Sequence, residues 1–260
     1  MDPKIKSNIY AGFMAGSIQT VLTYPLKTTI KYQYSTGNNI MYSLNYLYRD
    51  PDKFRFYRGL GFSVLKTSFG RMGETGIYTY FNSKNLSHSE KTSLIAFTST
   101  SWKSVLIPID TITNIYQVKG LESKNLIKNK IKDSGFLRTF YSGGTLYLSN
   151  MFIGSYIWFN FYMIFNNNLP KFKYDDIRNA GIGFTCTLIS DLTLNPLRII
   201  KTYKQSSPNY ITYVDSFKEI VGNKGISSYI GRGLGTRLFL NCINSSIYVV
   251  LWKRLESYFI

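Results

Sequence analysis

The chain has 260 residues, enough for one large domain or two small ones. Its 31 Lys and Arg against 14 Asp and Glu give a net charge of +17, which directs it toward phosphate-bearing partners, either nucleic acid or anionic lipid headgroups. Its two cysteines, Cys186 and Cys242, lie far apart with no neighbouring His or Cys, which excludes a disulfide framework and a zinc site.

In chain order, residues 1–8 are polar and no small-residue cleavage pattern follows, so any targeting signal is expected to be internal. Six long segments, 8–33, 59–82, 92–118, 143–166, 177–204 and 233–256, are predicted as helices, each long enough for the ~20 residues a bilayer requires. None is an uninterrupted apolar run of ~18 residues, the mark of a simple spanning helix. Helices that line a wet cavity carry polar residues on the inner face, and such spans read as semi-polar. The 22 tyrosines, apolar at one end and polar at the other, suit a membrane interface. Between the long segments, 40–49, 121–132 and 212–223 carry spaced apolar positions such as Leu121, Leu126, Ile127 and Ile131. Interfacial helices have this pattern, and so does an ordinary surface helix. The single histidine, His88, stands in a polar Ser-His-Ser-Glu-Lys stretch and is expected in an exposed linker without a functional role.

The chain repeats itself. Pro-Leu-Lys-Thr-Thr-Ile begins at Pro25, Pro-Ile-Asp-Thr-Ile-Thr at Pro108 and Pro-Leu-Arg-Ile-Ile-Lys at Pro196, with spacings of 83 and 88 residues. Each leads to a glutamine, Gln33, Gln117 or Gln205, and each closes a mostly apolar segment. A second marker follows at Tyr57-Arg58-Gly59, Tyr141-Ser142-Gly143 and Gly231-Arg232-Gly233, the glycines 84 and 90 residues apart. Pro51, Gly135 and Gly225, each eight residues upstream of the marker glycine, predict a shared turn. The units are expected at 1–86, 87–170 and 171–260.

A proline-centred Pro-x-acid-x-x-base motif, present three times, resembles the signature of the mitochondrial carrier family, and Gly12 to Gly16 and Gly183 ahead of the prolines add to the likeness. The resemblance covers the whole chain. It implies an all-α membrane protein with six transmembrane helices in three pseudo-symmetric repeats around a central cavity, and three short amphipathic helices on the matrix side. It further implies a multi-pass protein of the mitochondrial inner membrane that moves a small metabolite by alternating between two gates. A proline removes a backbone donor and clashes with the preceding turn, so it can bend a helix inward to close a pore.

The motifs depart from the family pattern. Lys27, Asp110 and Arg198 occupy the acid position, and Ile30, Thr113 and Lys201 the base position. The matrix gate is therefore expected at Pro25, Lys27, Pro108, Asp110, Pro196, Arg198 and Lys201. Asp110 should neutralise one of the three bases, leaving surplus positive charge for solvent or an anion. At the second gate, the stretches Tyr78-Thr79 to Asn82, Tyr162-Met163 to Asn166 and Leu251-Trp252 to Leu255 lack all three family acids. That closure is expected to be weak, resting on contacts of ~1 kcal/mol each.

Matching offsets identify candidate lining residues. Thr20, Lys103 and Asp191 stand five residues before the prolines, and charges deep in apolar segments are costly unless they face water or one another. Lys66, Asn150 and Leu240 stand seven residues after the marker glycines, the level at which the resemblance implies substrate contacts. Leu240 cannot bind polar groups, but Asn241 and Asn244 follow it. Glu74 and Trp158 share a further offset, Arg71 competes for Glu74 as a local ion pair, and Arg237 resembles a structural arginine of some family members. The expected substrate site is Lys66, Glu74, Lys103, Asn150, Trp158, Asp191, Asn241 and Asn244, a mixed lining suited to an anionic or zwitterionic metabolite rather than an inorganic cation. Nucleotides are disfavoured because a denser basic lining is expected for them.

No nucleophile elbow, phosphate loop or metal-ligand spacing appears, and Arg-Met-Gly-Glu-Thr-Gly around Gly73 lacks a preceding strand, so no enzyme, cofactor or metal is expected. A soluble nucleic-acid-binding protein accounts for the charge but not for three prolines in register. The expected partners are a small metabolite and membrane lipid, including anionic cardiolipin-like lipid, with no nucleic acid and a monomeric chain. The rival reading is a carrier fold that has lost transport and acts as a membrane receptor or scaffold.

Overall fold

Residues 3–85, 87–170 and 175–244 are described by a computed structural model whose regular elements are all helical. The first third contains α1 (Pro3–Thr36), α2 (Ile40–Tyr48) and α3 (Leu60–Asn82). There follow α4 (His88–Ser104), α5 (Ile107–Lys119), α6 (Ser123–Ser134), α7 (Phe136–Phe140) and α8 (Gly144–Asn168). The last third contains α9 (Asp175–Ser206), α10 (Tyr213–Gly231) and α11, helical from 234 and described to 244. The sixth predicted segment beyond 244, including Leu251, Trp252 and Leu255, lies outside the described residues.

The prolines do not act alike. Pro25 and Pro196 sit inside continuous helices, whereas the segment predicted as one helix over 92–118 is broken between α4 and α5, with Pro108 in the first turn of the second piece. Pro supplies no N–H to the preceding turn and is favoured where a helix begins, so the chain restarts there. His88, expected in a linker, instead opens α4, because Ser87 and Glu90 form a reciprocal capping box around that first turn. Thr212 and Asp215 do the same for α10, which Gly225 (φ 75°, ψ 173°) divides into two helical pieces.

The long helices form a closed ring, in which α1 packs on α3, α3 on α4, α4 on α8 and α8 on α9. The ring closes where Gln19 on α1 donates to the backbone and side chain of Asn244 at 3.0 and 3.1 Å, and where Thr236 donates to Gln33 Oε1 at 2.8 Å. Beyond their prolines, α1, α5 and α9 touch one another and converge.

The three marker glycines share one geometry. Gly59, Gly143 and Gly233 have φ of +81°, +75° and +61°, a left-handed conformation costly for a residue with a Cβ. Each also lies against the proline-bearing helix of the next third: Gly59 against Tyr116, Gly143 against Lys201 and Gln205, Gly233 against Tyr34 and Gln33. The same cyclic order governs the helix ends. Arg55 caps α5 by donating to the carbonyls of Gln117 (3.0 Å) and Val118 (2.6 Å), Lys130 caps α9 at Gln205 (2.9 Å), and Arg232 caps α1 at Tyr34 (3.4 Å). Burial pushes the Lys130 ammonium down to about 8.

Burial is inverted relative to a water-soluble bundle. On α1 the buried positions include Gln19, Thr20, Thr23, Thr28, Thr29 and Gln33, while Met14, Ile18, Val21 and Leu22 are exposed at helical spacing. Phe62, Leu65 and Phe69 on α3 and Phe152, Ile153 and Tyr156 on α8 continue this apolar exterior. Because one face of each helix is polar, no helix among the described residues is long and apolar enough to cross a membrane.

Candidate functional site

Inside the convergence lies a cavity of about 380 Å³ lined by the inner faces of the long helices. Three carboxylates organise its charge, and each is shared by two cations. Asp110 on α5, 2% exposed, pairs with Lys201 on α9 at 2.6 Å and Lys66 on α3 at 3.0 Å. Its second oxygen also accepts from Asn114 at 3.0 Å. The Asn114 amide donates in turn to Gln205 at 2.6 Å, and Gln205 donates to Thr111 (3.1 Å) and to the Ser142 carbonyl (2.9 Å). This network binds α5 to α9.

Asp191 on α9 accepts from Arg198 at 2.6 Å, from Arg237 on α11 at 2.9 Å and from Asn241. Arg198 also donates to Asn150 Oδ1 at 3.1 Å, tying α9 to α8. Glu74 on α3 pairs with Lys103 on α4 and, at 3.6 Å, with Arg71 on its own helix. Two further lysines line the cavity. Lys27 donates to the Thr20 hydroxyl at 3.3 Å and Lys31 to the Thr202 hydroxyl at 3.5 Å.

Of the three bases expected to compete for Asp110, Lys201 is the one it pairs with, and it also holds Lys66, a residue expected to contact substrate. Arg198 is matched by Asp191, seven residues earlier on the same helix, so the acid missing from the motif is replaced from two turns away. Lys27 finds no carboxylate within ion-pair distance among the described residues. Lys66, Glu74, Lys103, Asn150, Asn241 and Asn244 all line the cavity, as do Leu240, Lys27, Asp110, Arg198 and Lys201.

Asp191 and Trp158 do not line it. Asp191 is 3% exposed behind its arginines, where it serves as their counter-ion. Trp158 donates to Thr187 at 3.3 Å and stacks on Tyr162 at 5.2 Å. The hydrogen bond joins the indole on α8 to α9. The sequence reading missed Lys31, although its position four residues after Lys27 puts both on one face of α1. It also missed Gln117, Tyr147 and Met151 as lining residues.

At the second gate, Tyr78 and Tyr80 are exposed at the end of α3, and the third stretch is outside the described residues. In comparison with known proteins, residues 2–89 and 174–260 match the family described as Mitochondrial carrier protein. No curated protein matches the chain.

Proposed function

The chain belongs to the mitochondrial carrier protein family, and from that premise we propose that it moves a small anionic or zwitterionic metabolite across the mitochondrial inner membrane by alternating access. Members of this family are transporters and not enzymes, and are typically inner-membrane proteins. The observation that carries the reading is the inverted burial: an apolar exterior around a charged cavity suits a protein that has lipid outside and solute inside.

In this reading α1, α3, the α4–α5 pair, α8, α9 and α11 span the bilayer as six helices in three repeats, 1–86, 87–170 and 171–260. The cyclic contacts of Gly59, Gly143 and Gly233 support that division. Helices α2, α6 and α10 lie along the matrix surface, where Lys124, Lys128 and Lys132 on α6 meet anionic, cardiolipin-like lipid headgroups. The matrix gate is the Asp110–Lys201 pair with the Asn114–Gln205 layer beneath it, on the helix segments that follow Pro25, Pro108 and Pro196. Solute binds among Lys66, Glu74, Lys103, Asn150, Asn241 and Asn244, with Asp191 holding Arg198 and Arg237 toward it. The protein acts as a monomer, without cofactor or nucleic acid.

One feature favours a second reading. The family acids absent at the Lys27 position and at the second gate are those a non-transporting receptor or scaffold could lose. Purified protein in liposomes, challenged with pools of labelled amino acids, carboxylates and nucleotides, separates the two. Uptake of one pool supports the carrier, and no uptake with intact lipid binding supports the scaffold. Lys66→Ala should keep its fold, since Asp110 retains Lys201, yet lose the thermal stabilisation the transported solute confers. Unchanged stabilisation would remove Lys66 from the site.

A further inference from the structure

Resting on the carrier reading, the charge pattern of the cavity narrows its ligand. Each of the three acids is already divided between two cations: Asp110 between Lys66 and Lys201, Asp191 between Arg198 and Arg237, Glu74 between Lys103 and Arg71. Among the described residues that line or support the cavity, no carboxylate is left over for a ligand's ammonium group. Lys27 and Lys31, on the same face of α1, have no carboxylate within ion-pair distance among the described residues: Lys27 donates to the Thr20 hydroxyl, and Lys31 donates to the Thr202 hydroxyl and lies over the Tyr34 ring at 5.7 Å. Both line the same cavity as Lys66, Arg71, Lys201 and Arg237. Clustered cations that a fold leaves unmatched in a semi-enclosed cavity are stabilised by an anion of high charge density.

We propose that Lys27 and Lys31 form a subsite for a doubly charged group, phosphoryl or paired carboxylate, and that the ligand is a small polyanion rather than a zwitterion. Seated there, the anion supplies the charge that the α1 motif lacks where Lys27 replaces an acid. It thereby links α1 to Lys66 on α3 and Lys201 on α9.

The test uses full-length protein in detergent at constant ionic strength, titrated with inorganic pyrophosphate, citrate, acetate and alanine and followed by thermal unfolding. Pyrophosphate or citrate should raise the melting temperature at concentrations at least tenfold below any effect of acetate or alanine. Pyrophosphate acting alone assigns phosphoryl chemistry, and citrate acting alone assigns carboxylate chemistry. Lys27→Gln and Lys31→Gln should each weaken that response about tenfold, as expected for loss of one charge-assisted contact. The ligand selectivity of the unaltered protein decides the matter even if a variant fails to fold. Stabilisation by alanine equal to that by pyrophosphate and citrate, or titrations unchanged in both folded variants, overturns the subsite. Liposome uptake of a zwitterion would then leave the carrier reading standing, whereas uptake of no solute at all would remove both.

Discussion

Asp110 joins α5 to both α3 and α9 through its two ion pairs. It is buried between two lysines and an asparagine, and removing its charge leaves Lys66 and Lys201 facing each other without a counter-ion. Breaking a buried pair from one side costs about 3–5 kcal/mol, far more than the pair itself contributes. Asp110→Asn should therefore lower the stability of the detergent-solubilised protein by about 3 kcal/mol. Adding Lys201→Met should recover most of that loss in a double-mutant cycle read by thermal unfolding. Additive losses would mean that the two side chains act independently. Some cavity-lining residues are legible in the sequence where the repeat supplies a register: the shared offset of Lys66 and Asn150, at the level the family resemblance implies, points to two residues that line the cavity. Their partners are not, because the Asp110–Lys201 pairing joins helices whose facing sides no local pattern encodes. Lys31 was missed for a related reason, since it falls one residue past the base position of its motif.

At the scale of elements, positions of the helices were readable from their apolar content, but their ends and breaks were set by interactions between thirds of the chain. The break before Pro108, absent at Pro25 and Pro196, is one example. The capping of α5 by Arg55, α9 by Lys130 and α1 by Arg232 is another, and it uses two arginines and a lysine at unlike offsets, which hides it from sequence comparison. What the sequence did expose was the turn glycine. A Cβ at Gly59 would stand 2.8 Å from the Tyr116 Cβ while forcing a non-glycine residue to φ +81°. Gly59→Ala should cost about 2 kcal/mol, combining left-handed strain with overpacking. Gly222→Ala, inside α10 with open space around it, should instead stabilise by about 0.5–1 kcal/mol. Opposite shifts in melting temperature for the two variants check the assignment; equal shifts would show that Gly59 is not under strain.

For the whole molecule the decisive quantity is where the apolar surface points. Each helix averages an apolar outer face with a polar inner one, and the average falls below that of a spanning segment in every described helix. The faces separated in three dimensions tell a different story: Ile18, Leu22, Phe62, Leu65, Phe152 and Ile153 are exposed together, while Thr20, Thr28, Asp110 and Asn195 are buried. Exposed apolar surface of this extent costs about 25 cal/mol per Å² in water, so the molecule should leave a membrane only when that surface is covered. A net charge of +17 makes the competing outcome easy to recognise, since a basic protein held by headgroups alone is released when salt screens the attraction. Washing membranes with 1 M salt, about a 3 Å screening length, and then with alkaline carbonate should leave the protein in the pellet, and mild detergent should release it. Release by salt or carbonate would mean that the apolar exterior is covered by protein rather than lipid. The charged cavity would then be the interior of a water-soluble assembly instead of a path across a bilayer.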